Sequence, residues 1–247
     1  MVLLIFILGL IIGSFLNVCI YRIPLGKSIA YPPSICGHCH TRLKPLDLFP
    51  VISWMFLRGK CRYCGESIDI RYPFVELFTG ILFSLTYWKY SMHFILIPYL
   101  LVTAALIAIT FIDIHHHIIP NSINLFIFAT FFVFNFSLNF IPWKNAFLGA
   151  LIGGGFLFIL FLFTGGAGMG MGDVKLAGVL GLYLGWTNII LLLLLSFVLG
   201  GFFGMLLLAL KIKSRKDAIS FGPWIAMAAF ITLLFGNDII RWYVNLL

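Results

Sequence analysis

Long, nearly uncharged apolar runs recur along almost the whole chain, separated by short polar or glycine-rich stretches. A run of about 20 apolar residues is long enough to cross a bilayer as a helix. On that criterion the pattern predicts helices over Val2–Tyr21, Pro73–Trp88, His93–Ile112, Ile118–Phe140, Ala146–Thr164, Val174–Gly185, Thr187–Leu210 and Ser220–Gly236. The sixth is short and contains glycine. Three segments break the pattern: a polar loop over Arg22–Tyr72, a glycine-rich link over Gly165–Gly172, and a tail, Asn237–Leu247, expected on the membrane surface. The fold class is an all-α polytopic integral membrane protein of about eight transmembrane helices, with one small loop domain between helices 1 and 2. The chain divides into 1–21, a first transmembrane helix; 22–72, the loop; and 73–247, the remaining membrane domain.

Composition agrees, with 62% of the 247 residues hydrophobic and 10% charged. A soluble domain is about half apolar and a quarter charged. The net charge of +8 does not point to nucleic acid, because the cations lie between apolar runs and form no stripe. Thirteen of the 16 Lys and Arg fall on one side of the predicted topology, leaving Lys89, Lys144 and Arg241 on the other. The positive-inside rule puts the thirteen, and the long loop, in the cytoplasm, with both termini outside. The cations are expected to meet anionic lipids there. The first run is not read as a signal peptide: no basic residue precedes it and no small-x-small cleavage pattern follows. Cys19 within it follows Val18 and reads as a buried, inert thiol.

The loop carries Cys36-Gly-His-Cys39 and Cys61-Arg-Tyr-Cys64. Two such knuckles suit tetrahedral Zn²⁺, each offering two thiolates from one tight turn. A reducing cytoplasm argues against two disulfides. Four thiolates close the coordination shell, so a structural zinc is expected and a catalytic one is not. His38 and His40 are then unnecessary as ligands. The loop carries eight basic residues against Asp47, Glu66 and Asp69.

Acids are scarce, and Glu76, Asp113 and Asp173 stand out within or at the ends of apolar runs. An acid there is costly and marks function by default. The topology brings Asp113, at the end of the third helix, and Asp173, at the start of the sixth, to the same cytoplasmic rim. Asp173 follows Gly170-Met-Gly172, and these glycines are expected to permit close backbone approach and unusual dihedrals. A cap at a helix N-terminus is the simpler reading of an isolated Asp173. Two facing carboxylates can share a proton, one activating water while the other polarises a carbonyl. Asp113 precedes His115-His116-His117, read as an interfacial turn rather than metal ligands or a proton relay, and Pro120, expected in the first turn of the next helix. Glu76 is expected to pair with Arg71 or Lys175, or to contact substrate.

The ordered motifs resemble the type IV prepilin peptidases over nearly the whole chain. They comprise Gly13-Ser-Phe-Leu-Asn-Val18, Tyr21-Arg-Ile-Pro24, Pro33-Ser-Ile-Cys36-Gly-His-Cys39, Pro50-Val-Ile-Ser-Trp54, Arg58-Gly-Lys-Cys61-Arg-Tyr-Cys64-Gly65, Arg71-Tyr-Pro73 with Glu76, Asp113 with Ile119-Pro120, Gly170-Met-Gly-Asp173-Val-Lys-Leu176, and Phe221-Gly-Pro223. The resemblance implies a membrane aspartic endopeptidase. Such enzymes remove the basic leader from type IV prepilins or pseudopilins, serving pilus assembly, protein secretion or competence, at the cytoplasmic face of the bacterial membrane. It implies Asp113 and Asp173 as the catalytic pair, with Gly170, Gly172 and Lys175 as active-site support. It implies Cys36, Cys39, Cys61 and Cys64 as the zinc ligands, and Glu76 and Arg71 as substrate or methyl-transfer support. Many members also methylate the new amine with S-adenosylmethionine. The compact length looks most like the short Gram-positive enzymes that process competence pseudopilins. Asn121 departs from the family pattern, which often has Asp after Ile/Leu-Pro. Two other classes fit parts of the pattern: a non-catalytic zinc-loop assembly protein, and a transporter with a helix broken at Gly165–Gly172. Sequence alone leaves open methylation, the S-adenosylmethionine site, the pilin processed and the oligomeric state.

Overall fold

The computed structural model describes residues 1–166, 169–212 and 220–246. Ala167 and Gly168 of the glycine-rich link, the cations Lys213, Arg215 and Lys216 expected on the cytoplasmic side, and Leu247 of the tail lie outside the described residues. The elements are α1 (Val2–Arg22), a 3₁₀ turn (Pro45–Leu48), α2 (Ile52–Phe56), α3 (Arg71–Tyr90), α4 (Leu96–His116), α5 (Asn121–Leu138), α6 (Trp143–Thr164), α7 (Met171–Ala209) and α8 (Gly222–Val244). Among the described residues the only β pairing is two isolated antiparallel bridges, Ile35 with Arg42 and Lys60 with Ser67. Among the described residues six helices are long and apolar enough to cross a membrane: α1 and α4 to α8. The chain forms two compact units, Met1–Leu96 and Ile97–Leu247.

In the first unit α1 and α3 pack antiparallel through glycines. A Cβ on Gly9 would lie 2.7 Å from the Gly80 Cα, and one on Gly13 would lie 2.6 Å from the Glu76 Cα. Asn17 Nδ2 donates to the Tyr72 carbonyl at 3.0 Å. Small residues at a helix interface let backbones approach, which is how helices associate where lipid removes the hydrophobic drive. This register carries α3 to the same depth as α1, although Arg71, Glu76 and Lys89 make it more polar than the six helices above.

In the second unit α7 is one run of 39 residues with a break at Gly185, where φ is 71° and ψ 177°. A Cβ on Gly153 of α6 would meet the Ala177 carbonyl at 2.6 Å and Ile189 Cγ1 at 2.8 Å. Those residues are twelve apart, about 18 Å along a straight helix. The chain therefore doubles back at Gly185, and both halves of α7 lie along α6. The predicted separation of spans six and seven holds, and the two are joined by a single glycine in a backbone conformation that side chains resist. The second half then runs antiparallel to α8: Asn188 Nδ2 donates to Asn237 Oδ1 at 3.0 Å, and Phe203 stacks on Trp224 at 4.7 Å. Buried Tyr183 in the first half donates to Thr130 of α5 at 2.8 Å.

Boundaries differ from expectation where polar residues extend helices. Asp113 does not end its helix, because α4 continues to His116. Asp173 is the third residue of α7 and does not precede it. Pro120 is the N-cap of α5, not part of its first turn. The tail does not leave the helix at Asn237, since α8 runs on to Val244. Hydropathy locates where lipid-compatible sequence stops, whereas a helix stops where its hydrogen bonds do.

Candidate active site

Asp113 and Asp173 are 5% and 8% exposed, so both carboxyls are withdrawn from bulk solvent. Each is held by the same device. The Gly170 N–H donates to Asp173 Oδ2 at 3.0 Å, and the Gly222 N–H donates to Asp113 Oδ2 at 3.1 Å. Gly170 is the N-cap of α7, and Gly222 is the first residue of α8. Helix N-termini have unpaired N–H groups and a positive partial charge, so each suits a carboxylate. Ile119 links the surroundings of the two carboxyls. A Cβ on Gly172 would lie 3.0 Å from Ile119 Cβ, and one on Gly222 would lie 3.1 Å from Ile119 Cδ1.

The glycines do not all act as expected. Gly172 does provide close approach, but its backbone is helical. Gly170 has φ −83° and ψ 153°, which any residue adopts, and a Cβ there would be in ordinary contact with Asp173 Oδ2 at 3.4 Å. Its contribution is the N–H. The steric demand falls on Gly222, whose Cβ would lie 2.5 Å from Asp113 Oδ2.

Ser220 adds a second tie. Its hydroxyl donates to the Asp113 carbonyl at 2.8 Å. Having given its proton there, it accepts from His117 Nδ1, which fixes the proton of that ring on Nδ1. His117 thus joins the end of α4 to the approach to α8, while His115 Nδ1 turns back to the Phe111 carbonyl. Lys175 Nζ donates to Asn121 Oδ1 at 3.0 Å, which gives the departing residue Asn121 a partner.

The first unit holds the second constellation. The Sγ atoms of Cys36, Cys39, Cys61 and Cys64 all lie within 4.8 Å of one another, and Cys36 and Cys64 are 3.9 Å apart. Four thiolates at about 2.3 Å from a tetrahedral zinc stand about 3.8 Å from each other, so the cluster fits the ion. The knuckles are built alike. The Cys36 N–H donates to the Thr41 carbonyl and His40 N–H to the Cys36 carbonyl; Cys61 N–H donates to the Glu66 carbonyl and Gly65 N–H to the Cys61 carbonyl. His40 (φ 55°) and Gly65 (φ 73°) occupy the same left-handed position in each. Side-chain and backbone hydrogen bonds at Thr41 lower the Cys39 thiol to about 6, toward the thiolate that binds metal. Asp47 braces the second knuckle, receiving Arg62 Nε at 2.6 Å, the Tyr63 hydroxyl at 2.9 Å and the Lys44 N–H at 3.0 Å.

Comparison with known proteins decides the family. The bacterial peptidase A24 N-terminal domain matches residues 7–90, and the type IV leader peptidase family matches residues 100–205. A prepilin leader peptidase/N-methyltransferase of Aeromonas hydrophila is 36% identical over 98% of this chain and 93% of its own length. Enzymes of the same name from Neisseria gonorrhoeae and Pseudomonas aeruginosa are each 34% identical, over 97% of this chain and 92% of theirs. The chain belongs to the type IV leader peptidase family. No solved structure matches it.

In the second unit Asp113 and Asp173, with Gly222, Gly170 and Gly172, are grouped about Ile119, while Lys175 turns to Asn121. The four cysteines form a separate centre in the first. Glu76 does not pair with Arg71 or Lys175 as expected. It accepts the Val51 N–H at 2.7 Å, while Arg71 Nε sits 2.7 Å from Asp69 and Lys175 turns to Asn121. Gly222, Ser220 and His117 were not singled out as site residues. The Phe221-Gly-Pro223 motif was the available signal, but nothing in sequence said which acid it served.

Proposed function

We propose that this chain is a membrane aspartic endopeptidase that removes the leader from type IV prepilins or pseudopilins, with Asp113 and Asp173 as its catalytic pair. The observation that carries this reading is the matched pair of buried carboxyls, each fixed at Oδ2 by a glycine N–H. Among the described residues the other oxygen of each makes no hydrogen bond, leaving it for water and peptide. With one proton shared by the pair, the ionised carboxylate takes a proton from water as the water oxygen bonds to the scissile carbonyl carbon. The protonated carboxyl gives its proton to the carbonyl oxygen. The resulting gem-diol collapses, the C–N bond breaks, and a proton passes to the leaving amine. Gly170, Gly172 and Gly222 set the carboxyl positions, and Lys175 with Asn121 forms the polar edge beside Asp173.

The four cysteines hold a zinc ion that fixes the two knuckles, since the loop has little core of its own. In this reading 22–72 is a zinc-bound cytoplasmic loop and 73–247 the peptidase body, embedded in the bacterial cytoplasmic membrane. S-adenosylmethionine would supply the methyl group for the second activity in the relatives' names, N-methylation of the new amine. Arg71 and Glu76 stay assigned to support of substrate or methyl transfer, Glu76 through its hold on Val51.

The test is cleavage of a purified prepilin by wild type, Asp113→Asn and Asp173→Asn, with mass spectrometry of the product N-terminus. Each variant is expected to lose cleavage while keeping its fold; retention of activity by either sinks the assignment. A methylated product appears only if the second activity is present. Cys61→Ser is expected to lower bound zinc, read by metal analysis, and full zinc content in that variant would remove the cluster from the account.

A further inference from the structure

The short helix α2 lies within the cytoplasmic loop yet presents an apolar face. Ile52, Met55 and Phe56 fall at helical spacing on one side and are 52%, 64% and 85% exposed. Trp54 faces the other way and is tied down, its indole N–H donating to the Ile68 carbonyl at 3.1 Å. Exposed Arg58 and Lys60 follow directly. A polar loop in water gains nothing from three adjacent bare hydrophobes, and contiguous exposed apolar surface marks an interaction site.

The depth of α2 identifies the partner. The Val51 N–H, which opens α2, is held by Glu76 Oε2 at 2.7 Å. Glu76 is the sixth residue of α3, is buried, and has its Cα against Gly13 of α1. Gly13 lies nine residues before Arg22, the charged end of α1, or about 13 Å along that helix. The carboxylate therefore draws the start of α2 below the level of the first charge on α1. A basic amphipathic segment at that depth, with apolar side chains outward and cations immediately after them, fits the boundary between acyl chains and anionic headgroups.

We propose that α2 is an interfacial anchor: Ile52, Met55 and Phe56 insert among the acyl chains of the surrounding bilayer, and Arg58 and Lys60 meet anionic headgroups. Glu76 is the positioning residue that sets the depth of this anchor. The anchor holds the cysteine knuckles against the membrane surface and limits their motion. This inference does not depend on the peptidase reading.

The test uses the full chain in nanodiscs of phosphatidylcholine and phosphatidylglycerol, with the photo-crosslinker benzoylphenylalanine replacing Phe56 or, as control, exposed Glu66. An acyl-chain adduct at position 56, about fivefold or more above that at 66, is expected for a side chain seated in the hydrocarbon boundary. Equal lipid yields at the two positions, or capture of another part of the protein by position 56, would overturn the proposal. Independently, Met55→Asp with Phe56→Asp should speed tryptic cleavage after Arg58 and Lys60 about tenfold in nanodiscs, because cleavage follows the population of the released loop. Unchanged cleavage would also overturn it. Both effects in a chain that fails to cleave prepilin would leave the anchor standing and count against the peptidase reading alone.

Discussion

Gly222→Ala tests whether the amide at the start of α8 positions a catalytic carboxyl. The added Cβ would lie 2.5 Å from Asp113 Oδ2 and 3.1 Å from its Cγ. Carbon and oxygen in van der Waals contact stand well beyond 3 Å, so the carboxyl must retreat by something on the order of 1 Å. The same Cβ would also press on Ile119 Cδ1 at 3.1 Å, and a shift of the backbone away from both would equally lengthen the Gly222 N–H contact with Asp113. Retreat breaks the 3.1 Å bond from the Gly222 N–H and moves Asp113 relative to Asp173. A displacement of about 1 Å in a reacting constellation costs on the order of 10²-fold in rate. That corresponds to about 2.7 kcal/mol of transition-state stabilisation. The expected result is a kcat for prepilin cleavage about 100-fold down with KM little changed, since leader binding does not use this amide. The assay is cleavage by purified protein in nanodiscs, followed by mass shift, with thermal unfolding in parallel. Gly155→Ala is the matched control, because a Cβ there meets nothing within 4 Å. A Gly222→Ala enzyme with native thermal stability and a kcat within threefold of wild type would refute the reasoning.

Two further outcomes follow from the packing and the charges. Gly149 faces the Gly181 carbonyl and Gly185 across the α6–α7 contact, with no room for a side chain. Gly149→Val should destabilise by about 1–3 kcal/mol through overpacking, read as a lower midpoint of thermal unfolding, whereas Gly155→Val should not. Asp47 tests the loop by pH. Burial pushes its carboxyl up, but hydrogen bonds from the Lys44 N–H, the Tyr63 hydroxyl and the Arg62 guanidinium outweigh this and hold it below the usual carboxylate range. A carboxyl lowered on folding stabilises above its unfolded value, near 3.9, and loses that contribution as pH falls through the folded value. Wild type should therefore exceed Asp47→Asn in loop protection from proteolysis near pH 6, and the difference should shrink as pH drops below about 4. A difference that grows toward acid would contradict the geometry.

What was readable from sequence and what was not divide along chain distance. The eight apolar runs, the four cysteines and the scarce acids are local signals, and each survives in the structure. Even the weak sixth span was correctly bounded at Gly185, because a glycine and a change of apolar run coincide there. Boundaries moved where His115, His116 or the residues after Asn237 kept helical hydrogen bonds that hydropathy ignores. The partner of Glu76 was missed for a different reason. The rarity of buried acids points to a cation as partner, while the fold supplies a backbone N–H from a loop 25 residues away, which no charge pattern announces.

The two aspartates show the same division within one site. Gly170 is three residues from Asp173, so a capping contact is legible in sequence, although the glycine pattern suggests special dihedrals and the contribution is an N–H. Gly222 is 109 residues from Asp113. Its approach depends on α8 returning antiparallel to the second half of α7, which depends in turn on the reversal at Gly185. A carboxyl pair with equivalent support on both sides therefore needs the whole second unit to fold. This explains why the site can use one repeated device, a glycine amide at a helix N-terminus, yet show only half of it to a reader of sequence. It also explains why a methyl group at Gly222, far from either aspartate in the chain, is expected to damage catalysis while leaving the helices in place.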